Sequence, residues 1–323
     1  MKRNAQDEQL ELILSQLSNG VAPWAKPWQS LICQKNAKTG RQYSGGNAIY
    51  LAAVADCFGY STPLWVTAKQ AQALGGRIKG QVCTLVNGEL TETQADEWKN
   101  SWIVQWFRPD EREKKDEKGK PVLDKNGDPE TVVYWRKGVQ FVYNVEQTTI
   151  DPKKYAKLLP KIKDKHVRNE DIETFLINSR CGAKFGLSFG GERAFYKPST
   201  DSVRVPKSEY FKKIEEFYAT QLHEFAHASG HKSRLGRGLD NVFGSPAYAE
   251  EELTAELTAA FIGAEYQIDG HCQHIEYLGH WFTVLENDKK LFYRAASKAK
   301  KAAAYLKNAA KSFETIASKT KAA

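Results

Sequence analysis

His223-Glu-Phe-Ala-His227, followed downstream by Ala249-Glu-Glu-Glu-Leu-Thr-Ala-Glu256, decides how the second half of this chain is read. Two histidines separated by one helical turn lie on one face, so His223 and His227 can both reach a single divalent ion. Glu224, between them, falls beside the position of a metal-bound water, where it can take a proton and later pass it to a leaving amine. The surroundings favour a helix. Phe211, Ile214, Phe217, Tyr218, Leu222, Phe225 and Ala226 supply a buried stripe, and Gly230 marks the stop.

A catalytic zinc site takes a third protein ligand and keeps one position open. The third histidine of a metzincin would fall at position 233, which is Ser233, and His231 comes too early. The other common solution is a carboxylate on a following helix. Glu252 and Glu256 are one turn apart there, and Glu252-Leu-Thr-Ala-Glu256 matches the spacing of glutamate-liganded zincins. Glu252 is therefore assigned to the metal and Glu256 to a place behind it, orienting a ligand histidine. Glu256 or Glu251 as the ligand remains the open alternative. The ion expected is Zn2+ or another divalent metal such as Mn2+. Just upstream, Ala194–Pro198 and Ser202–Pro206 read as a hairpin, whose edge an extended peptide can join. His271, His274 and His280 lie among aromatic residues and read as packing or surface. His231, Arg234 and Tyr248 are polar candidates for stabilising an oxyanion.

Working outward, a chain of 323 residues exceeds what one average core needs, so two domains are expected. Residues 7–18 read as an amphipathic helix, 47–58 as a second and 67–74 as a third. Residues 80–86, 101–107, 131–136 and 139–145 alternate as strands, with the mixed-charge stretch 108–130 as a long loop. The lysine-rich segment 151–166, with Pro152 and Pro160, is the expected linker between domains 1–150 and 167–323. Helix resumes at 170–180 and dominates beyond Glu209, ending in an Ala/Lys-rich helix over 295–320. The fold class expected is α+β.

A net charge of +8 favours polyanionic partners. The five cysteines form no CxxC pair, which argues against a disulfide framework or a thiolate zinc site and fits a reducing cytoplasm. No apolar run approaches the roughly 18 residues a membrane span requires. The first half interleaves aromatic and basic residues in the manner of single-strand binders, where rings stack on bases and cations meet phosphates. The candidates for DNA contact are Trp24, Lys26, Trp28, Arg41, Tyr43 and Asn47.

Several segments together carry a family likeness. They are Trp24-Ala-Lys-Pro-Trp28, Thr39-Gly-Arg-Gln-Tyr-Ser-Gly-Gly-Asn47 and Phe141-Val-Tyr-Asn-Val-Glu-Gln-Thr148, then His223 through Leu235 and Tyr248 through Glu256. The chain thereby resembles the ArdC-type antirestriction proteins and their relatives, the plasmid TraC-type primases and phage polyvalent proteins. The resemblance implies an N-terminal domain that binds single-stranded DNA and a C-terminal, mainly helical zincin-like metallopeptidase domain with a small sheet. It implies a protein of mobile elements that protects incoming DNA from host restriction, with host restriction or defence proteins as peptidase substrates. Such a protein is cytoplasmic and can enter the recipient cell with the DNA. Two alternatives stand beside this: a DNA-coating protein whose metal site is structural, and a primase-associated polyvalent protein.

Overall fold

The computed structural model describes residues 4–19, 22, 34–79, 84–86, 89–91, 100–115, 120–125, 127–159, 169–239, 241–242, 244–268 and 278–321. Helix α1 (Ala5–Ser18) is capped by the Asn4 side chain, and its Leu10, Ile13 and Leu17 are buried. Strand β1 (Lys35–Asn36) leads to α2 (Gly46–Cys57), which is apolar on every side and buried from Ala48 to Ala55. After β2 (Leu64–Val66), a Thr67/Gln70 capping box starts α3 (Ala68–Ala73), satisfying two helix-end amides reciprocally. β3 (Thr84–Val86) and β4 (Glu89–Thr91) form a small hairpin. β5 (Trp102–Glu113) and β6 (Thr131–Asn144) complete a four-stranded sheet of order β1-β2-β6-β5.

The segment 108–130 departs from the expected loop. β5 continues to Glu113, β6 is one strand rather than two, and the pair runs from Trp102↔Val142 to Glu113↔Thr131 as a projecting ribbon. Isolated bridges at Lys115↔Pro121 and Leu123↔Pro129 carry the pairing further. A two-stranded ribbon wetted on both faces needs no apolar alternation, because cross-strand partners do the pairing. Here Asp110 meets Arg136 at 3.2 Å and Lys114 meets Glu130 at 2.6 Å. Gly138 lets the Trp106 indole lie across the opposite strand, since a Cβ there would come within 2.4 Å of the ring.

Short 3₁₀ turns, Pro152–Lys154 and Ala156–Leu158, lead out of this half, and the remainder of the expected linker lies outside the described residues. The second half opens with α4 (Glu170–Ala183), capped by Asn169. β7 (Gly186–Phe189), β8 (Phe195–Lys197) and β9 (Ser202–Val205) form a sheet of order β7-β9-β8. β8 and β9 are the expected hairpin, and β7 pairs parallel with β9 on its other side. Helices α5 (Ile214–Ser229), α6 (Pro246–Glu265), α7 (Leu278–Asn287) and α8 (Lys289–Lys321) follow. No described helix is long and apolar enough to cross a membrane.

The apolar packing joins the two halves. Leu10, Ile13 and Leu17 of α1 and Ile49 of α2 share one core with Leu253 and Leu257 of α6, Trp281 of α7 and Phe292 of α8. A second core, built from Phe175, Phe185, Val203, Val205, Phe225 and Leu306, holds α5 between the small sheet and α8. α6 is thus fixed from both directions.

Candidate metal centre

α5 is buried almost continuously from Phe217 to Ser229, with Glu215 and Glu216 in its first turn, where carboxylates favour the helix dipole. Ser245 starts α6 by accepting from the Tyr248 amide, and Pro246 follows at the first helical position. Packing α6 against α5 then aims buried glutamates at the two histidines.

His223 Nε2 and His227 Nε2 lie 3.1 Å apart. Glu252 Oε2 is 3.4 Å from His223 Nε2, and Glu252 Oε1 is 3.7 Å from His227 Nε2. An ion held tetrahedrally at about 2.0–2.1 Å sets its ligands roughly 3.3 Å apart, so these three donors fit one ion. Among the described residues they form a group whose donor atoms all lie within 4.8 Å of one another. Two imidazoles and a carboxylate suit zinc and other borderline divalent metals.

Each neighbouring glutamate has a different address. Glu256 Oε1 lies 3.7 Å from His223 Nδ1, behind the ring rather than among the converging donors. Glu251 Oε1 lies 3.1 Å from His227 Nδ1, behind the other ring, and Arg237 grips the same carboxylate. Glu250 turns outward to Arg294 and Lys298 of α8. The alternatives Glu251 and Glu256 are thus placed behind the histidines, and Glu252 alone of the four faces both Nε2 atoms. Glu224 follows His223 on α5 and is buried.

The charges follow from this packing. Burial opposes ionisation of Glu252, but the two histidines outweigh it and hold the carboxyl below its usual range. Glu251 is likewise opposed by burial and held low by Arg237 and His227. Burial pushes His223 below its ordinary value, whereas bonds to Glu251 and Glu252 overcome burial at His227 and raise it well above. Buried carboxylates thus stand beside both rings, with Arg237 facing Glu251.

Of the three oxyanion candidates, Arg234 is otherwise engaged. It bonds Asp201, Tyr196 Oη, Ala228 O and Ala183 O with its side chain almost fully enclosed, tying the end of α5 to the β8–β9 turn. His231 Nδ1 meets Ser233 Oγ at 2.8 Å. Tyr248, in the first turn of α6, remains half-buried. His271 and His274 lie outside the described residues, as does the His280 side chain. Arg237 was not singled out in the sequence. Its only local signal is its position after Gly230, and its main partner Glu251 comes from the next helix.

The candidate DNA contacts have different surroundings where they are described. Trp24, Lys26 and Trp28 lie outside the described residues. Arg41 is exposed. Tyr43 packs partly buried against the Tyr50–Trp65 cluster. Asn47 bonds both Gln105 O and Gln105 N and receives Gln9 Nε2, stitching α1, α2 and β5 together. Among the described residues of this half, the ribbon carries exposed aromatic surface. Phe107 is 58% and Trp135 66% exposed on one face. On the other, Arg108 stacks over Trp106 at 5.3 Å and Arg112 over Tyr134 at 5.2 Å.

Comparison with known proteins agrees with this layout. Residues 3–140 match the family model for the N-terminal domain of anti-restriction factor ArdC, and residues 170–298 match that for a zincin-like metallopeptidase. An uncharacterized protein, y4eC, of Sinorhizobium fredii is 30% identical over 91% of this chain and 88% of its own length. Two DNA primases TraC of Escherichia coli are each 38% identical, over 93% and 90% of this chain. The chain spans only 27% and 19% of those primases. Among solved structures, the metal-free antirestriction ArdC protein from plasmid R388 superposes with a TM-score of 0.71 at 26% identity, over 96% of this chain and 99% of that one. Its Mn(II)-bound form gives 0.66 at 24% identity, over 95% and 98%, and shows the shared fold. With the donor cluster seated inside its zincin-like segment, and both segments matched in order, this chain belongs to the ArdC-type antirestriction family.

Proposed function

We propose that the protein is a metal-dependent peptidase that also binds single-stranded DNA, and that it protects incoming DNA of a mobile element from host restriction. The observation that carries the peptidase reading is the convergence of His223 Nε2, His227 Nε2 and Glu252 on one point of a buried helix that also bears Glu224. His223, His227 and Glu252 would hold the ion, Zn2+ or Mn2+, with Glu256 behind His223. When bound, the ion supplies Lewis acidity toward a peptide carbonyl and toward water. Glu224 takes the proton from the attacking water and delivers it to the leaving amine. β8 has β9 on one side only within its sheet, so an extended peptide can add to its open edge.

For the DNA half, the reading rests on exposed aromatic and cationic side chains. Arg41 and the ribbon residues Phe107, Arg108 and Trp135 are available for stacking and phosphate contact, alongside the expected Trp24, Lys26 and Trp28. Tyr43 and Asn47 contribute by holding the sheet in place.

The test is Glu224→Ala in a plasmid-transfer assay against a restricting host. The variant should bind metal and single-stranded DNA as the wild type does and lose protection. Undiminished protection would show that proteolysis is not how the protein acts, leaving DNA coating as its mode.

A further inference from the structure

The segment after the metal helix folds back on itself. Leu235 N donates to Ser229 O at 3.1 Å, Gly236 N to His231 O at 3.1 Å and Arg237 N to Gly230 O at 2.9 Å. This return brings the Arg237 guanidinium under the end of α5, where its side chain is only 5% exposed. There Nη1 donates to Ser229 Oγ at 2.8 Å and Nη2 to Ala226 O at 2.6 Å. Nε and Nη2 together grip Glu251, at 2.9 Å to Oε2 and 2.8 Å to Oε1. Glu251 Oε1 in turn meets His227 Nδ1 at 3.1 Å. The approach needs Gly230, because a Cβ there would come within 2.8 Å of Nη2.

We propose that Arg237 and Glu251 are positioning residues for His227, locking its ring so that Nε2 faces the ion. The inference rests on the metal-site reading above. A proton held on Nδ1 by Glu251 leaves the lone pair on Nε2, and a two-pronged Arg–carboxylate contact fixes the plane in which that proton is accepted. A lysine cannot reproduce the fork. The loop 230–237 is thereby coupled to the metal: a change in its closure reaches His227 through two side chains. On the other ring, Glu256 Oε1 lies 3.7 Å from His223 Nδ1.

The experiment uses the full chain stripped of metal, titrated with Zn2+ against a chromophoric chelator and with Co2+ by visible absorption. Glu251→Gln should weaken Zn2+ binding about tenfold to a hundredfold and alter the Co2+ bands. Arg237→Met should do the same and Arg237→Lys should recover only part of the loss. Glu250→Gln is the control: it neutralises an ion-paired neighbour on the same helix that turns to Arg294 and Lys298, and should leave affinity and spectrum unchanged. Circular dichroism of each metal-free variant confirms the fold. If Arg237→Met does not fold, the near-isosteric Glu251→Gln still decides. Wild-type affinity and an unchanged Co2+ spectrum in folded Glu251→Gln would overturn the inference while leaving the metal site standing. A wild-type chain that binds neither ion, or His223→Ala binding as tightly as wild type, would overturn both.

Discussion

Replacing Ile13 with alanine tests whether the two halves stand on one core. Ile13 is fully buried in α1, and its neighbours in that core include Leu253 and Leu257 of α6, the helix that carries Glu252 and Glu256. Losing a buried isoleucine to alanine costs the transfer energy of the removed carbons plus that of the cavity left behind, about 3 kcal/mol for an enclosed site. A chain of this size unfolds with a urea dependence near the upper end of the usual range, about 3 kcal/mol per molar, so the midpoint should fall by about 1 M. Hydrogen exchange followed by mass spectrometry locates the loss. Amides of α6 around Leu253–Ala260 should lose protection together with those of α1. If α6 keeps wild-type protection while α1 alone loosens, the halves are energetically separate, and the shared core carries no coupling between the proposed DNA-binding surface and the candidate metal centre.

Other expectations follow from single contacts. Gly182→Ala would place a Cβ 2.0 Å from Ala309 O, forcing α4 away from α8, and should lower stability by about 1–3 kcal/mol, read by thermal melting. The bonds from Arg234 hold the Asp201 carboxyl below its usual range against burial, with Tyr196 helping. A depressed pKa stabilises the fold above the ordinary carboxylate value near pH 4, and that contribution is lost as pH falls further toward the folded-state value. Melting of Asp201→Asn and wild type should therefore differ most at neutral pH and converge in acid; a constant gap would contradict the pairing. Asp201 has a left-handed backbone (φ 46°), which asparagine accepts, so the substitution reports on charge rather than strain. Trp135→Ala on the ribbon should cost about 1–3 kcal/mol of single-strand affinity with little change in melting. Asn47→Ala should do the reverse, because its side chain joins α2 to β5.

The candidate site was legible where its chemistry is local. The His223/Glu224/His227 spacing and the one-turn spacing of Glu252 and Glu256 each lie within one helix, so periodicity alone places their faces. Choosing among Glu251, Glu252 and Glu256 required knowing how α6 rotates against α5, which long-range packing decides. Arg237 was invisible for the same reason. It matters only because residues 230–237 close back onto α5 and meet a carboxylate from the following helix.

The outer end of the ribbon, expected as a loop over 108–130, was missed for a different reason. Arg108, Asp110 and Arg112 carry no strand signal of their own, since charged residues on a two-sided wet ribbon alternate nothing; their pairing with residues 132–136 appears only in three dimensions. Asn47 and Tyr43 read as binding residues because they sit among glycines and basic side chains, yet the fold uses Asn47 to join strand and helices and packs Tyr43 against a core cluster. α1 was recognisable as an amphipathic helix, but nothing in its sequence says that its apolar face meets α6, α7 and α8.

Anomalous-difference diffraction at the metal edge, on crystals of the full chain grown with Zn2+ or Mn2+, tests the central claim most directly. The account predicts one strong peak about 2.0–2.2 Å from His223 Nε2, His227 Nε2 and a Glu252 oxygen, with Glu251 and Glu256 behind the rings. A peak ligated by Glu251 or Glu256 in place of Glu252, or no peak between the two histidines, would contradict it.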